Sequence, residues 1–312
     1  MKYVPPEDDS MDGINFHAIF KIQKNPYNGK FFARFNPDLK PDMGETAVQL
    51  YFQSRDVVQH FLNYKVLPNL ETKLLESLQN RPIDVCLHDM VGQDDMDYTV
   101  LGFSALRSDV KNILVPDLYA MQGYFGALNE PDLFQFKNKI DEFFFIGNYT
   151  GDGRPLVNKR AKFCRWALDK PWCHAFLSEI HQVPPQVMAD ADPGYERYMH
   201  TPLPKKYQKM YRHLVSIDGN TAAWDRPAWI MASNSVLWKQ ESDHVCWWSD
   251  LCHEGTHYVG FREFDELESK RKSGMDFGSL ILNANSFARE HLSEEGHVKR
   301  WLNTLELIEH GM

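Results

Sequence analysis

Residues 211–239, YRHLVSIDGNTAAWDRPAWIMASNSVLWK, contain the clearest fold signal in this chain. HLVSI has the pattern of a short strand that is buried on both faces of a parallel sheet. The run ends at the turn Asp218–Asn220, and a helical pattern follows from about Thr221 to Ala232. SVLWK then has the pattern of a second strand. A strand, a glycine turn, a helix and a further strand in this order predict an α/β fold with a parallel sheet.

The same alternation continues on both sides of this stretch. EFFFIG, from Glu142 to Gly147, is another buried-type strand, and the loop NYTGDGRP after it leads into the helical pattern KRAKFCRWAL. THYVGF, from Thr256 to Phe261, predicts one more strand, and the last forty residues have a helical pattern. The first part of the chain predicts a hairpin with its turn at Asn28-Gly29, a helix from about Thr46 and an alternating strand over residues 83–87.

The composition disfavours several classes of protein. The 312 residues are enough for two packed domains, with 43% hydrophobic and 25% charged residues as in ordinary globular chains. A net charge of −9 argues against a nucleic-acid scaffold, which needs a basic face. Five cysteines without CxxC spacing predict reduced thiols, not a disulfide framework. The acidic N-terminus lacks the apolar core of a secretory signal, and no window is long enough to span a membrane. We therefore expect a cytoplasmic protein.

Two loops are candidate anion sites, because ligands of parallel α/β sheets lie beyond the carboxyl ends of the strands. The first loop carries Gly147, Asn148 and Thr150, just before the helix that contains Arg160. Backbone N–H groups of such a turn, together with a helix N-terminus, can hold phosphate oxygens. A glycine turn before a helix can equally be structural.

The second loop contains four candidate residues: Asp218, Gly219, Asn220 and Thr221. Arg226 follows in the next helix, between two tryptophans. Arginine suits a diphosphate because its planar guanidinium can form two parallel charge-assisted hydrogen bonds. A charge on such a packed helix is costly unless it has a partner. The alternative to an anion ligand is a buried ion pair with Asp218 or Asp225, and spacing alone leaves both possibilities open.

Two further positions are candidate site residues. Ser233, which precedes the strand SVLWK, is of a type that most often forms caps and turns, although its hydroxyl could contact a ribose or a base. Asp89 follows an alternating strand, and a carboxylate there could act as a general base that accepts a proton from an attacking hydroxyl. Asp94, Asp95 and Asp117 compete with Asp89 for this role.

The segment HEGTH, residues 253–257, matches the HExxH zinc motif, in which a helix brings both histidines to one face. Here Gly255 disfavours a helix, and the following HYVGF has a strand pattern. His253 and His257 would be far apart on a strand, so we expect no metal site. The rival hypothesis is a zinc hydrolase that uses both histidines and a downstream carboxylate such as Glu263.

The block Tyr211–Lys239, followed by Gln240-Glu241-Ser242 and later by His257-Tyr258, resembles glycosyltransferase family 90. The matching pattern is DGNxxxWxRxxWxxxSxSxxxKxxS. The resemblance extends more loosely over about residues 80–310, including the apolar strand into Gly147 and the VPD that ends at Asp117. The family contains capsule-associated transferases, Rumi-type protein O-glucosyltransferases, and short bacterial and algal-virus members. The chain is most similar to the short type, such as the xylosyltransferase of chloroviruses.

The resemblance implies a GT-B architecture, which is α/β with two Rossmann-like domains facing a cleft, and an inverting transfer from a UDP-sugar. By position, Asp89 matches the catalytic base and Arg226 the arginine that holds the diphosphate. The Gly147 loop and Asp218–Thr221 would line the nucleotide site. Members of this architecture need no metal for the leaving group, because arginines and helix N-termini can stabilise its charge.

The expected organisation follows from this resemblance. Residues 1–141 form an acceptor-side domain with the base, residues 142–285 bind the UDP-sugar, and residues 286–312 are C-terminal helices that could pack back on the first domain. The expected donor is UDP-xylose or else UDP-glucose, and the expected acceptor is a glycan or lipid-linked saccharide. No nucleic-acid partner and no cofactor are expected. A non-catalytic carbohydrate-binding protein is the remaining alternative.

Overall fold

The computed structural model of the chain describes residues 17–36, 45–87, 101–108, 112–122, 130–180 and 182–310. The chain divides into two compact units. The first unit comprises residues 1–124, 244–247 and 294–312, and the second comprises residues 125–243 and 248–293. This division places residues 125–141 in the second unit, whereas the organisation implied by the family resemblance assigned them to the first domain.

The first unit contains a five-stranded mixed sheet in the order β2-β1-β3-β4-β6. These strands are β1 (His17–Lys24), β2 (Phe31–Phe35), β3 (Pro82–Cys86), β4 (Leu101–Gly102) and β6 (Ile113–Leu114). The pair β1/β2 is the predicted hairpin, and Gly29 in its turn has a φ of +70°, which favours glycine. β3 pairs antiparallel with β1, while β4 and β6 run parallel to β3. Alternating strands usually have one face exposed to solvent. β3 is an exception, because its residues after Pro82 are buried on both faces.

Helices cover the sheet of the first unit, and one short ribbon joins distant parts of its chain. The helices are α1 (Glu45–Phe61), α2 (Thr72–Ser77), α3 (Leu118–Met121) and α10 (Glu294–Glu309). The ribbon pairs β5 (Ser104–Leu106) antiparallel with β11 (His244–Cys246). The C-terminal helix α10 belongs to the first unit, although residues 248–293 before it belong to the second.

The second unit contains a parallel five-stranded sheet in the order β12-β10-β9-β7-β8, so the predicted α/β class with a parallel sheet is confirmed. Its strands are β7 (Ile140–Tyr149), β8 (Cys173–Ile180), β9 (Tyr211–Ser216), β10 (Val236–Gln240) and β12 (Val259–Phe261). In chain order the sheet runs 2-1-3-4-5. The order reverses between β7 and β9, and ligands of such sheets bind at the carboxyl ends of the strands on either side of this switch point.

Helices connect these strands and surround an aromatic core. They are α4 (Lys159–Ala167), α5 (Pro185–Ala191), α6 (Lys205–Gln208), α7 (Asp225–Met231), α8 (Glu266–Arg271) and α9 (Phe277–His291). Phe143 in β7, one of the two strands at the switch point, stacks on His213, with ring centroids 4.9 Å apart, and meets Trp238 edge-on at 4.8 Å. All three rings are buried, and their contacts hold β7, β9 and β10 together.

Two elements of the second unit differ from the sequence expectation. The helix after Asp218 begins at Asp225 and not near Thr221, because the Asp218 carboxylate accepts a hydrogen bond from the Ala223 N–H and holds the intervening residues in a turn. Strand β8 was not predicted. Buried residues alternate with partly exposed ones along most of β8, as suits a strand at the edge of the sheet, but polar and apolar residues do not alternate strictly in its sequence. None of the described helices has the length and apolar character needed to cross a membrane.

Candidate functional site

Two loops meet at the switch point of the second sheet, one after β7 and one after β9. The backbone N–H of Gly151 donates hydrogen bonds to Asn220 Oδ1 (2.8 Å) and to Gln182 Oε1 (2.9 Å). Gln182 Nε2 in turn donates to Asn220 Oδ1 at 2.8 Å. The loops that the sequence identified separately therefore form one structure.

Glycine is required where the loops approach each other. A Cβ atom at Gly219 would lie 2.4 Å from Thr150 Oγ1 and 3.0 Å from Arg160 Nη2. Gly151 has a φ of +108°, and a Cβ atom there would lie 3.0 Å from the Gly219 carbonyl oxygen. Both positions thus exclude other residues unless the loops move apart.

Arg160, in the first turn of α4, connects both loops. Its Nε donates to the Ile217 carbonyl at 3.1 Å. Its Nη1 donates to the Asn148 carbonyl at 2.9 Å and to Thr150 Oγ1 at 2.7 Å. Among the described residues, its Nη2 has no hydrogen-bond partner, although it faces Gly219. Nε and Nη1 of Arg160 therefore hold the two loops together, while none of the described residues accepts a hydrogen bond from Nη2.

Asn158 fixes the start of the helix that carries Arg160. Its side-chain oxygen accepts from the Ala161 N–H at 3.0 Å, which is an N-cap. Its side-chain nitrogen donates to the carbonyls of Thr150 and Asp152, both at 3.0 Å. Asn158 is fully buried. This side chain therefore locks the loop after β7 to the N-terminus of α4.

Arg226 lies in the first turn of α7 and reaches the same edge of the sheet. Its Nη2 donates to the Ile146 carbonyl, and its guanidinium carbon lies 5.0 Å from the centre of the Phe145 ring. A Cβ atom at Gly147 would lie 3.2 Å from Nη2. Gly147 thus leaves space for the arginine beside the end of β7.

The ion pair that the sequence left as an alternative for Arg226 is not formed. The Asp218 carboxylate accepts from Ser242 Oγ at 2.5 Å and from the Ala223 N–H at 2.9 Å. The Asp225 carboxylate pairs with Lys205 at 2.7 Å. In the part of the chain that the structure describes, no carboxylate lies within ion-pairing distance of Arg160 or Arg226.

The two guanidinium groups influence each other electrostatically. Burial, and next the positive charge of Arg226, lowers the pKa of Arg160 to about 10. Burial also lowers the pKa of Arg226, while Asp225 opposes this effect. Two like charges with little water and no ion-paired carboxylate are unfavourable, although the charges of Asp218 and Asp225, which lie outside ion-pairing distance, partly offset this effect at Arg160. An anion with several oxygens would relieve the repulsion and accept their remaining donors.

The other predicted residues are placed as follows. Asn148 Oδ1 accepts from Ser178 Oγ at 2.6 Å, and the Thr221 hydroxyl donates to the Ala222 carbonyl at 3.3 Å, so both side chains stabilise the loops. Ser233 lies before the amino end of β10, at the opposite edge of the sheet from the loops. Its buried hydroxyl donates to the Ile230 carbonyl at 2.7 Å. Its assignment to the nucleotide site was therefore wrong, and Ser233 closes a helix end.

The candidate bases are only partly described. Asp89, Asp94 and Asp95 lie outside the described residues. Asp117 is buried and caps α3, since its carboxylate accepts from the backbone N–H groups of Tyr119 and Ala120 at 2.9 and 3.1 Å. A carboxylate engaged in a helix cap is poorly placed to accept a substrate proton.

The HEGTH segment forms a turn, neither the helix of a zinc motif nor the predicted strand. The backbone N–H of His253 donates to His257 Nδ1 at 2.9 Å, and Gly255 has a φ of +74°. β12 begins only at Val259. Within the described residues, no three His, Cys, Asp or Glu side chains are grouped as metal ligands would be.

Sequence reasoning missed three residues that shape the site: Asn158, Gln182 and Ser242. Asn158 had a readable signal, because asparagine directly before a helical pattern is a common N-cap. Ser242 lies in the matched family pattern, but nothing in that pattern pairs it with Asp218. Gln182 has no local signal, since its partners Gly151 and Asn220 are distant in sequence.

No protein-family model and no curated protein matches the chain. Solved glycosyltransferase structures are similar to parts of it. The C-terminal domain of a glycosyl transferase group 1 family protein, LpcC from Francisella tularensis, is 10% identical, with a TM-score of 0.35 over 52% of this chain and 95% of that one. TarM is 10% identical, with a TM-score of 0.38 over 91% of this chain and 63% of TarM. The pneumococcal O-GlcNAc transferase GtfA, in complex with UDP and GlcNAc, is 10% identical, with a TM-score of 0.34 over 58% of this chain and 38% of GtfA. The chain thus spans less than two thirds of TarM and of GtfA, and each likeness is partial.

Proposed function

We propose that the protein is a GT-B glycosyltransferase of the family 90 type, which binds the diphosphate of a UDP-sugar between the loops after β7 and β9. The observation that carries this proposal is the pair of guanidinium groups at the switch point. Arg160 and Arg226 lie near each other without a carboxylate partner among the described residues, beside glycines that leave room for them. A diphosphate has the charge and the number of oxygens that such a pair requires.

The proposed reaction is a single displacement at the anomeric carbon. An acceptor hydroxyl attacks from the side opposite UDP, the new carbon–oxygen bond forms, and the bond to the diphosphate oxygen breaks with inversion. Asp89 accepts the proton of the hydroxyl. The charge that develops on the departing diphosphate is stabilised by Arg160 and Arg226, and the proposal needs no metal ion for this step. The donor is UDP-xylose or UDP-glucose, and the acceptor is a glycan or a lipid-linked saccharide.

Calorimetric titration with UDP tests the binding site. Arg226→Ala and Arg160→Ala should each weaken UDP binding by about 10- to 100-fold, because a hydrogen bond to a charged group contributes roughly 1.5–3 kcal/mol. Arg197→Ala is the matched control, since Arg197 is exposed in a 3₁₀ turn of the same unit. It should bind UDP like the unchanged protein.

Thermal melting separates loss of the site from loss of the fold. Arg226→Lys keeps the charge but not the planar fork, so it should bind UDP more weakly than the unchanged protein and more tightly than Arg226→Ala. If Arg226→Ala and Arg160→Ala melt normally and bind UDP with unchanged affinity, the proposed diphosphate site is wrong. UDP-sugar hydrolysis without an added acceptor provides an independent readout of turnover.

A further inference from the structure

A groove of about 500 Å³ lies in the first unit, in residues that the proposed reaction does not use. It runs between the start of α10 and the residues that follow α1. There, α1 continues into a π-helical turn, Leu62–Val66, and then a 3₁₀ turn, Leu67–Asn69. π-Helical turns inside helices are rare and are frequent at functional sites.

An exposed aromatic ring forms one wall of the groove. Tyr64 lies within the π-helical turn and is 69% exposed. Its ring packs against His60, with centroids 4.5 Å apart and planes 35° from parallel. A tyrosine on the surface of a rigid helix, with one face supported and the other accessible, offers a flat apolar surface with a polar tip. The C–H face of a sugar ring can stack on such a surface.

The rim of the groove carries charged groups of both signs. Lys65 pairs with Glu294 at 2.7 Å, and both side chains are largely exposed. Asn69 Nδ2 donates to the Lys65 carbonyl at 2.7 Å, which holds the two turns together. Among the described residues, neither Glu295 nor Lys299 has an ion-pair partner. The groove thus offers two ammonium groups and two carboxylates for hydrogen bonding.

The two positive and two negative charges of the rim favour one class of ligand over others. A phosphorylated or sulfated ligand would meet two carboxylates, and a cationic one would meet two lysines, so neither gains from the summed charge. An apolar ligand would leave the charged rim desolvated, which is costly. A neutral polyol can donate hydrogen bonds to carboxylates and accept them from ammonium groups. It can also place its C–H face on Tyr64.

We propose that this groove is a binding site for a neutral oligosaccharide, separate from the nucleotide site. The volume is sufficient for a few sugar rings, since ligand sites are typically about 300–1,000 Å³. The choice of an oligosaccharide as the ligand rests on the proposed function, because a transferase that extends glycans must hold an acceptor or product. The location of the groove does not depend on that function. No residue of the groove takes part in UDP binding.

The test is titration of the full chain with three neutral trisaccharides, maltotriose, cellotriose and xylotriose, followed by calorimetry and by ligand-observed saturation-transfer NMR. At least one should bind, and Tyr64→Ala should weaken that binding by roughly tenfold, which is typical for truncation of an aromatic anchor. Tyr64→Phe keeps the ring and should retain most of the affinity. Tyr27→Ala is the matched control, because Tyr27 is 97% exposed on the hairpin of the same unit.

The outcomes separate this proposal from the proposed function. UDP affinity should be equal in Tyr64→Ala and the unchanged protein, so loss of trisaccharide binding with UDP binding intact supports a separate site. If none of the three trisaccharides binds, or if Tyr64→Ala and Tyr27→Ala lose trisaccharide affinity equally, the groove is not an oligosaccharide site. Neither result would bear on the nucleotide site. A sulfated trisaccharide that binds more tightly than its neutral form would also overturn the assignment of the groove to a neutral oligosaccharide.

Discussion

At the residue scale, the sequence predicts that the Arg226 charge needs a partner, but it does not identify that partner. The surrounding tryptophans and the glycine turn indicated that the guanidinium would need a partner, and they left two aspartates and an anion as alternatives. The structure removes the aspartates, because Ser242 and Lys205 engage them. Neither engagement can be predicted locally, since Ser242 and Lys205 reach the aspartates from 24 and 20 residues away. The family resemblance implies a diphosphate as the partner, and this assignment stays a proposal.

Asn158 has two functions that can be tested separately. Its side-chain oxygen caps α4, and its side-chain nitrogen clamps the loop after β7 by donating to two of its carbonyls. Asn158→Ser keeps a side-chain oxygen for the Ala161 N–H but is too short to donate to both loop carbonyls, whereas Asn158→Ala loses both functions. We expect both variants to lose UDP affinity several-fold, and Asn158→Ala to be less stable than Asn158→Ser by about 1 kcal/mol. Urea unfolding and UDP titration measure the two effects. Equal stability of the two variants would exclude the cap, and normal UDP affinity in both would exclude the clamp.

Asp89 carries the prediction on the chemical step. Asp89→Asn should lower the rate of sugar transfer by about 10²–10⁴, because a positioned general base commonly contributes that factor. UDP affinity should remain near normal, since the base acts on the acceptor. Asp117→Asn is the control: asparagine is also a good cap, so α3 and the transfer rate should both be retained. Turnover that is unaffected in Asp89→Asn but lost in Asp117→Asn would reverse the two roles.

At the scale of elements, the buried strands of the second sheet were predictable and its edge was not. β7 and β10 contain the apolar runs FFFI and VLW, and β9 contains the buried stretch HLVS, because the sheet buries both faces of these strands. β8 lies at the edge, and its sequence CHAFLSEI neither alternates strictly nor is apolar throughout, so its pattern is weaker. The two loops were identified one by one. Their contact could not be predicted, because it depends on the order of the strands.

The contact between the loops predicts a contrast between two glycines. Gly219→Ala would place a methyl group 2.4 Å from Thr150 Oγ1, so the loops must separate and UDP affinity should fall by tenfold or more. Gly153→Ala is the matched control in the same region, because a Cβ atom there meets nothing within 4 Å. Titration with UDP should show normal affinity for Gly153→Ala. Equal behaviour of the two variants would mean that the close approach of the loops is not needed for binding.

At the scale of the whole molecule, the division of the chain differs from the one expected from its sequence. Residues 244–247, which were expected in the second domain, pair through β11 with β5 of the first unit. Helix α10 also belongs to the first unit, which the expected packing of residues 286–312 on the first domain had allowed for. β11 is three residues long and has no distinctive pattern, so its partner strand could not be identified from the sequence. An alternation of strands and helices predicts a sheet covered by helices. It does not predict that a short segment such as residues 244–247 pairs with a strand far away in the sequence.

Each unit also contains a buried histidine, and together they predict how stability depends on pH. Burial lowers the pKa of His213, in the second unit, to about 4, although its hydrogen bond to Asp141 opposes this effect. Burial likewise lowers the pKa of His297, in the first unit, to about 4. An unfolded histidine has a pKa of about 6.5, so between about pH 6.5 and pH 4 the unfolded chain binds more protons than the folded one. The free energy of unfolding should therefore fall as the pH decreases through this window, by up to about 1.4 kcal/mol per pH unit for each histidine.

Urea unfolding at pH 7, 6 and 5 measures this dependence, and two substitutions assign it to the units. His213→Gln and His297→Gln remove one titrating group each, so each variant should lose less stability on acidification than the unchanged protein, even if it is less stable at pH 7. The unchanged protein, unfolded in parallel at each pH, is the reference for both slopes. Where the units unfold in separate transitions, His213→Gln should change the pH dependence of one transition and His297→Gln that of the other. An unchanged slope in both variants would show that neither buried histidine causes the acid sensitivity.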